Sequence, residues 1–191
     1  DKVSPVAARA GTPYPRAMPL TPQDLLDRLA QLGIDQTTHW HPPVFTVEQT
    51  KDLRIHETIP GAHVKNLFLK DKAGAFRLVT MLEHRRVPVG ALARTLGVPR
   101  MSFASGEELI ETLGVIPGAV TPFALINDPG HRVEFVLDEA LLSGRYARIN
   151  AHPLTNEATT SVTPEGFRTF LAATGHTPRL VALDALDTAA A

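Results

Sequence analysis

Apolar residues recur at helical spacing in several segments of the chain. Leu25, Leu29 and Leu32 form one apolar stripe, which follows a Thr-Pro pair at positions 21 and 22 and stops before Gly33. A threonine cap, a proline in the first turn and a closing glycine are typical of a helix. Similar signals predict further helices at 47–55, 89–96, 105–113 and 163–173.

Other segments place apolar and β-branched residues between turn-forming residues, which is the pattern of strands. Turn residues at 71–74 and 128–131 predict two hairpins, one joining 64–69 to 76–82 and the other joining 123–127 to 132–137. Because strands and helices are interspersed without a regular βαβ rhythm, we expect an α+β fold. Its sheet should be mixed and curled toward a barrel, with helices outside. Further strands are predicted at 37–40, 101–103, 147–150, 159–162 and 179–183.

Length and composition predict one domain. A chain of 191 residues with 43% hydrophobic content can bury one sizeable core but hardly two. Residues 1–20 are rich in alanine and proline and lack a periodic apolar pattern, so we expect them to form a flexible leader. The predicted domain covers 21–185, and 186–191 are expected to form a flexible tail.

Charge and cysteine content narrow the class of function. A net charge of -1 disfavours a strongly basic nucleic-acid binder, and DNA in particular, but it allows a local basic face that meets one RNA stem. The absence of cysteine removes disulfides, thiolate metal ligands and a cysteine nucleophile. The sequence has neither an apolar run long enough for a bilayer nor a secretory signal, so a soluble cytoplasmic protein without a membrane partner is expected.

Two polar residues stand at the start of an otherwise apolar strand, in the segment Gly61-Ala62-His63-Val64-Lys65-Asn66-Leu67-Phe68-Leu69-Lys70-Asp71. Strand alternation puts residues 65, 67 and 69 on one face and 64, 66 and 68 on the other. One of the two polar side chains, Lys65 or Asn66, therefore points away from solvent unless the strand end frays. From the pattern alone, Lys65 is either a solvated charge or a cation at a site.

Two further segments can likewise be either purely structural or part of a site. Gly114 and Gly118 flank Pro117 in a turn, which is either a simple connector or a loop whose backbone N–H groups stabilise an oxyanion. The second role gains weight because no obvious acidic or hydroxyl nucleophile is present elsewhere. His152 precedes Pro153, which favours an extended backbone, and it is either a structural hydrogen-bonding group or a site residue.

Several other chemistries are not indicated. His39 and His41 could share a strand face, but no third metal ligand follows at a convincing spacing, so neither a metal nor a cofactor is predicted. The sequence lacks the Gly-x-Ser-x-Gly elbow of serine hydrolases and the glycine-rich loops of nucleotide-binding folds. A basic cluster is either a solvated surface or a set of RNA phosphate contacts. Its members are Arg85, Arg86, Arg94 and Arg100.

Four motifs in order carry a family resemblance that covers about residues 21–184. Besides the strand segment at 61–71, they are His41-Pro42-Pro43-Val44-Phe45, Gly114-Val115-Ile116-Pro117-Gly118-Ala119-Val120-Thr121-Pro122-Phe123 and His152-Pro153-Leu154-Thr155-Asn156. Together they resemble the YbaK/ProX family of aminoacyl-tRNA deacylases, and within it the free-standing alanyl-tRNA(Pro) deacylases.

The resemblance implies roles for specific residues. Lys65 would hold the 3′-terminal nucleotide or the developing oxyanion, and Asn66 would bind the amino group or the carbonyl of the aminoacyl moiety. Gly118 would belong to an oxyanion loop, and His152 would position a water or the adenosine without acting as a general base. The residues expected to bind the substrate around them are Val44, Phe45, Gly114, Ile116 and Pro117. The expected tRNA contacts are Arg100, which is preferred, Arg85 and Arg86.

The function implied is hydrolysis of the ester that joins alanine to the 3′ adenosine of tRNA(Pro). The substrate's own 2′-hydroxyl would supply the proton transfer, and apolar walls formed by Val44, Phe45 and Ile116 would exclude proline by size. The partner would be the acceptor stem and aminoacyl 3′ end of tRNA(Pro), with docking on prolyl-tRNA synthetase left open. Two alternatives remain: a Cys-tRNA(Pro) deacylase of YbaK type, and a non-catalytic tRNA-binding or synthetase-associated module.

Overall fold

The computed structural model describes residues 18–190. It contains six α-helices: α1 (Pro22–Gln31), α2 (Val47–Asp52), α3 (Ile55–Thr58), α4 (Val89–Leu96), α5 (Gly106–Leu113) and α6 (Pro164–Thr174). Its eight strands are β1 (Gln36–Trp40), β2 (Ala62–Asp71), β3 (Phe76–Leu82), β4 (Met101–Phe103), β5 (Val133–Asp138), β6 (Ile149–Ala151), β7 (Ala158–Val162) and β8 (Arg179–Val181).

Local capping explains where most helices begin and end. The side chains of Thr21, Thr46 and Ser105 each accept a hydrogen bond from the backbone three residues later, and each belongs to a reciprocal capping box. Gly97 and Gly175 end α4 and α6 in the left-handed conformation. The helix predicted at 47–55 is in fact two short helices, because Arg54 has a φ of 52° and interrupts the helical path.

All eight strands belong to one mixed sheet, as the sequence predicts. Along the sheet the order is β1-β7-β6-β2-β3-β5-β8, and β4 pairs with β2. The hairpin of β2 and β3 is antiparallel, whereas β3 pairs with β5, β5 with β8 and β2 with β6 in parallel. Within residues 18–190 the end strands β1 and β8 do not pair with each other, so the sheet is open.

The second predicted hairpin is wrong. Residues Pro122–Asn127 form a 3₁₀-helix, which Thr121 caps at its N-terminus and Pro122 begins. The buried Asp128 then accepts hydrogen bonds from the backbone of Arg132 and Val133 and so fixes the turn into β5. A capped proline start favours a helical turn over an extended strand, and β5 finds its partners in β3 and β8 instead.

The sheet separates two hydrophobic clusters. The larger one includes Phe135 of β5 and the aromatic residues Phe123, Phe167 and Phe170, and the smaller one includes Leu69 and Leu92. In β2, Val64 and Phe68 belong to the first cluster, whereas residues 67 and 69 belong to the second, which confirms the predicted alternation. A third, small cluster of Val44, Ile55 and Ile59 supports the segment 41–60. The end of this segment meets the start of β2, where Nε2 of His63 lies 2.8 Å from the carbonyl of Ile59.

Both ends of the described chain are attached to the domain. Of the predicted leader, residues 1–17 lie outside the described residues, and Leu20 donates its backbone N–H to the side chain of Asn127 (3.0 Å). The predicted tail is held as well: Asp187 accepts the backbone N–H of Arg86 at 2.8 Å, and the backbone N–H of Thr188 donates to the Arg86 carbonyl at 2.9 Å. None of the helices in 18–190 is both long and apolar enough to cross a membrane.

Candidate active site

Three adjoining cavities lie between the segment 41–60, the start of β2 and the loop after β3. The outer groove, of about 580 Å³, is lined by residues including Lys51, His56, His63, Lys65, Glu83, Arg86 and Tyr146. The middle pocket, of about 230 Å³, is lined by residues including Val44, Phe45, Lys65, Asn66, Glu83, Gly118, Val120 and His152. The inner pocket, of about 40 Å³, is lined by Val44, Thr50, Ile55, His63, Val64, Asn66, Glu83, Asn150, Ala151, His152 and Thr159.

Lys65 borders both the outer groove and the middle pocket. Its side chain is half-buried, and its ammonium donates a hydrogen bond to the backbone carbonyl of Arg85. Burial lowers the pKa of Lys65, and the charge of Arg86 lowers it further. The carboxylates of Asp187 and Glu83 act in the opposite direction. The structure thus places a cation, tied to the loop after β3, between a wide groove and a narrower pocket.

Asn66 is already hydrogen-bonded at both ends of its amide. Its Nδ2 donates to the carbonyl of Val120 at 2.9 Å, and its Oδ1 accepts from the hydroxyl of Thr80 at 2.6 Å. The amide therefore joins β2 to the loop that carries Gly118 and Val120. A ligand that used this amide would have to replace one of the two bonds.

Three of the sequence motifs meet at Gly118. This residue has a φ of 91°, and a Cβ at its position would lie 3.0 Å from the ring of Phe45 and 3.5 Å from the Nδ2 of Asn156. Glycine is thus required both by the backbone conformation and by the close contact with Phe45. Asn156 in turn exchanges hydrogen bonds with the backbone of Val44, which fixes the segment 41–45 beside the loop.

The ring of His152 is mostly buried at the boundary of the middle and inner pockets. Its Nδ1 lies 2.9 Å from the carbonyl of Ala158. Because a carbonyl only accepts, Nδ1 carries the proton and Nε2 of the neutral ring is a hydrogen-bond acceptor. Burial is the main cause that lowers the pKa of His152, and the neighbouring His41 adds to it. The neutral form is therefore favoured.

Three residues predicted to bind the substrate lie away from all three cavities. Gly114 ends α5, and its Cα faces Pro19 and Asn127, so that a Cβ there would lie 2.5 Å from the Cβ of Pro19. Ile116 is 55% exposed, and Pro117 is exposed beside it. The predicted placement at the pocket is corrected for these three residues, since the chain crosses the surface after α5 and reaches the middle pocket only at Gly118.

The three arginines predicted to contact tRNA have different environments. Arg85 is only 3% exposed, and its guanidinium contacts Asp138, Asp184 and Asp187. Arg85 borders the outer groove, but its guanidinium is paired with these carboxylates, so the structure does not favour it as a contact for phosphates. Arg86 is exposed and lines the outer groove. Arg100 is also exposed but lies before β4, outside the three cavities.

Sequence reasoning did not identify Glu83, which alone among residues 18–190 lines all three cavities. Its Oε2 contacts the Nε2 of His56, and the rings of His56 and His63 meet edge to face at 4.3 Å. Asn150 was not identified either. For Glu83 a positional signal was available, because Glu83 immediately follows the buried strand β3, which pairs with the strand that carries Lys65. In the described part of the chain, no three His, Asp or Glu side chains are arranged to hold a metal ion.

Comparisons with known proteins identify the family. Residues 41–170 match the model of the aminoacyl-tRNA editing domain. The chain is 44% identical over 163 residues to "Prolyl-tRNA synthetase associated domain-containing protein 1" of Bos taurus, covering 84% of this chain and 94% of the relative. It is 33% identical over 162 residues to "Prolyl-tRNA editing protein ProX" of Acetoanaerobium sticklandii, covering 84% and 96%.

A solved structure supports the fold. A candidate trans-editing enzyme for prolyl tRNA synthetase superposes with a TM-score of 0.59 at 23% identity, covering 84% of this chain and 92% of that one. At this identity the likeness concerns the fold alone. The match to the family model and the two relatives go further: the chain belongs to the aminoacyl-tRNA editing domain family, of the YbaK/ProX type.

Proposed function

We propose that this protein hydrolyses the ester that joins alanine to the 3′ adenosine of tRNA(Pro), as an editing enzyme. The names of its relatives support an editing role connected with proline tRNA. The observation that carries the proposal is the meeting of a wide groove with cations on its wall and a small, partly apolar pocket. A polynucleotide end fits the first, and a small acyl group fits the second.

Each element of the site has a role in this reaction. An aminoacyl ester is intrinsically labile, so the enzyme needs chiefly to position the ester and a water and to stabilise the oxyanion. Lys65, between groove and pocket, is placed to meet either the terminal phosphate or the oxyanion. The backbone at Gly118 approaches the pocket without a side chain, and Nε2 of His152 is available to accept a hydrogen bond from a water or from the 2′-hydroxyl of the substrate and so to position it.

The RNA contacts follow from the cations that remain exposed. Arg86 and Lys51 line the outer groove, where phosphates of the acceptor end would lie. Arg100 would contact the stem farther from the ester. Arg85 also borders this groove, but its guanidinium is buried and paired with carboxylates, so it is not proposed as an RNA contact. Val44 and Phe45 would form the wall that limits the size of the acyl group, because both line the middle pocket.

The test is a panel of three substrates: Ala-tRNA(Pro), Cys-tRNA(Pro) and Pro-tRNA(Pro), each corrected for spontaneous hydrolysis. We expect alanine to be removed and proline to be spared. Lys65→Ala should reduce kcat for alanine removal about 100- to 1000-fold, as loss of one oxyanion-stabilising group does. The matched control is Lys72→Ala, because Lys72 is exposed in the β2–β3 turn and should leave both rate and melting temperature unchanged.

Two results would redirect the proposal. Faster removal of cysteine than of alanine would favour the YbaK-type alternative. Binding of tRNA(Pro) without turnover of any of the three esters would favour a non-catalytic module. Near-wild-type turnover by a folded Lys65→Ala variant would exclude Lys65 from the mechanism.

A further inference from the structure

The inner pocket is small and lined mostly by hydrogen-bond acceptors. Its volume of about 40 Å³ suits one water molecule or one ammonium group. The polar residues around it are Thr50, His63, Asn66, Glu83, Asn150, His152 and Thr159. Counting which of their atoms are already hydrogen-bonded shows what kind of group this pocket would accept.

Asn150 supplies an acceptor that nothing else in the described chain satisfies. The residue is 2% exposed, and its Nδ2 donates to the carbonyl of Pro60 at 3.1 Å. Its Oδ1 is buried, and within residues 18–190 it has no hydrogen-bond partner. Buried polar atoms are nearly always paired, and an unpaired one is stabilised when a donor reaches it. Asn150 therefore marks a place where a donor is missing.

The two histidines add acceptors to this pocket. His63 directs Nε2 at the carbonyl of Ile59 (2.8 Å), and His152 directs Nδ1 at the carbonyl of Ala158 (2.9 Å). Each of these nitrogens must carry the proton, so the other nitrogen of each neutral ring is an acceptor. Burial lowers the pKa of both rings and favours this neutral form.

Glu83 adds negative charge to the acceptors. Only its Oε2 contacts His56, and its Oε1 has no hydrogen-bond partner among the described residues. The donors nearby are already used: Nδ2 of Asn66 binds the Val120 carbonyl, and the hydroxyl of Thr50 binds the Thr46 carbonyl. The hydroxyl of Thr159 is paired with His41. The pocket thus has surplus acceptors, one of them charged, whereas each of these donor groups already makes a hydrogen bond elsewhere.

A cationic group with several N–H donors complements this arrangement. We propose that the inner pocket is the receptor for the α-ammonium group of the aminoacyl ester, with Glu83 supplying the charge and Oδ1 of Asn150 accepting one N–H. The inference rests on the proposed function. It assigns the binding of the amino group to residues other than Asn66, whose amide is already paired on both sides.

The experiment compares two esters that differ only in this group. Ala-tRNA(Pro) carries an ammonium at the α-carbon, and lactyl-tRNA(Pro) carries a hydroxyl there, with the same methyl side chain. Each rate is corrected for spontaneous hydrolysis, because the two esters differ in lability. We expect kcat/KM of the wild type to favour the alanyl ester by about 10-fold or more, as a charged hydrogen bond would.

The variants then assign the preference to residues. Glu83→Gln should lower kcat/KM for the alanyl ester about 10- to 100-fold and change that for the lactyl ester less than about 3-fold. Asn150→Ala should act in the same direction by about 2- to 10-fold, since its bond is neutral. Glu57→Gln is the matched control, because Glu57 is an exposed carboxylate that lines none of the three cavities. Lys65→Ala should slow both esters.

The outcomes separate this inference from the proposed function. Equal handling of the two esters by the wild type, or an equal loss on both with Glu83→Gln, would overturn the ammonium receptor and leave the deacylase intact. If neither ester is hydrolysed, the proposed function fails and the inference fails with it. Should Glu83→Gln not fold, the preference of the wild type and the Asn150→Ala variant still decide the question.

Discussion

Two adjacent arginines provide a direct test of how the fold sorts charged residues between structure and function. Arg85 is buried and Arg86 is exposed, although both follow β3 in the same basic run. We compare Arg85→Leu with Arg86→Leu, which remove the same charge and leave similar apolar side chains. The backbone hydrogen bonds of Arg86 to Asp187 and Thr188 are preserved in both variants.

The expected difference follows from what each guanidinium contacts. Without Arg85, the carboxylate of Asp138, which is 0% exposed, loses its cation while it stays buried. Breaking a buried ion pair from one side typically costs about 3–5 kcal/mol in the free energy of unfolding. For a domain of this size that corresponds to a fall in Tm of roughly 6–20 °C. Arg86→Leu should change the free energy of unfolding by less than about 0.5 kcal/mol.

The two variants should also differ in RNA binding. Urea unfolding gives the stability of each variant, and binding of a tRNA(Pro) acceptor-stem fragment is then measured against salt concentration at a temperature where both are folded. We expect Arg86→Leu to weaken binding and to reduce the salt slope by about one, whereas folded Arg85→Leu should keep the wild-type slope. The reasoning is refuted if Arg85→Leu is as stable as Arg86→Leu, or if it is the variant that loses salt dependence.

Two further predictions concern charge near the site. Since burial lowers the pKa of His152, its ring stays neutral at pH values below the ordinary histidine pKa. The value of kcat/KM, corrected for spontaneous hydrolysis, should therefore fall only below about pH 6.5. An acid midpoint at or above that pH would contradict a role for the neutral ring. Asp187 accepts the Arg86 N–H and opposes the lowering of the Lys65 pKa that burial causes. Asp187→Ala should therefore lower kcat several-fold and move the loss of activity at alkaline pH to a lower pH. Asp187→Asn should restore kcat but should not return the alkaline limb to its wild-type pH. Unchanged pH profiles in both variants would exclude this influence of Asp187 on Lys65.

Much of the fold could be predicted because its signals are local. Capping threonines, serine and closing glycines fix helix ends within a few residues, and the β2–β3 hairpin is set by the turn at 71–74. Parallel pairing of β3 with β5 and of β5 with β8 joins residues far apart in the chain, and no short pattern encodes it. The apolar run at 123–127 is ambiguous for the same reason, since a buried strand and a buried 3₁₀-helix share that composition.

The candidate site was predicted only where a motif and the cavity coincide. Lys65, Gly118, His152, Val44 and Phe45 all line the middle pocket. Residues 114, 116 and 117 share the glycine-rich motif but not the cavity, because a turn of five residues cannot face one pocket throughout. The ion pairs that bury Arg85 involve aspartates about 50 and 100 residues further along the chain. A sequence pattern cannot show such pairing.

The balance of charge changes along the site, and this bears on which molecules it can distinguish. The outer groove presents the cations Lys51, Lys65 and Arg86 beside Glu48 and Glu83, whereas the inner pocket is lined by neutral acceptors and by Glu83, without a lysine or arginine from the described part of the chain. An aminoacyl-tRNA carries phosphates on one side of its ester and an ammonium on the other. Deacylated tRNA would bind only in the groove. A free amino acid would bring its carboxylate toward the acceptors that are proposed to surround the ammonium. Under the proposed function, the ester alone matches both ends, so binding energy from the groove would position the bond to be cleaved.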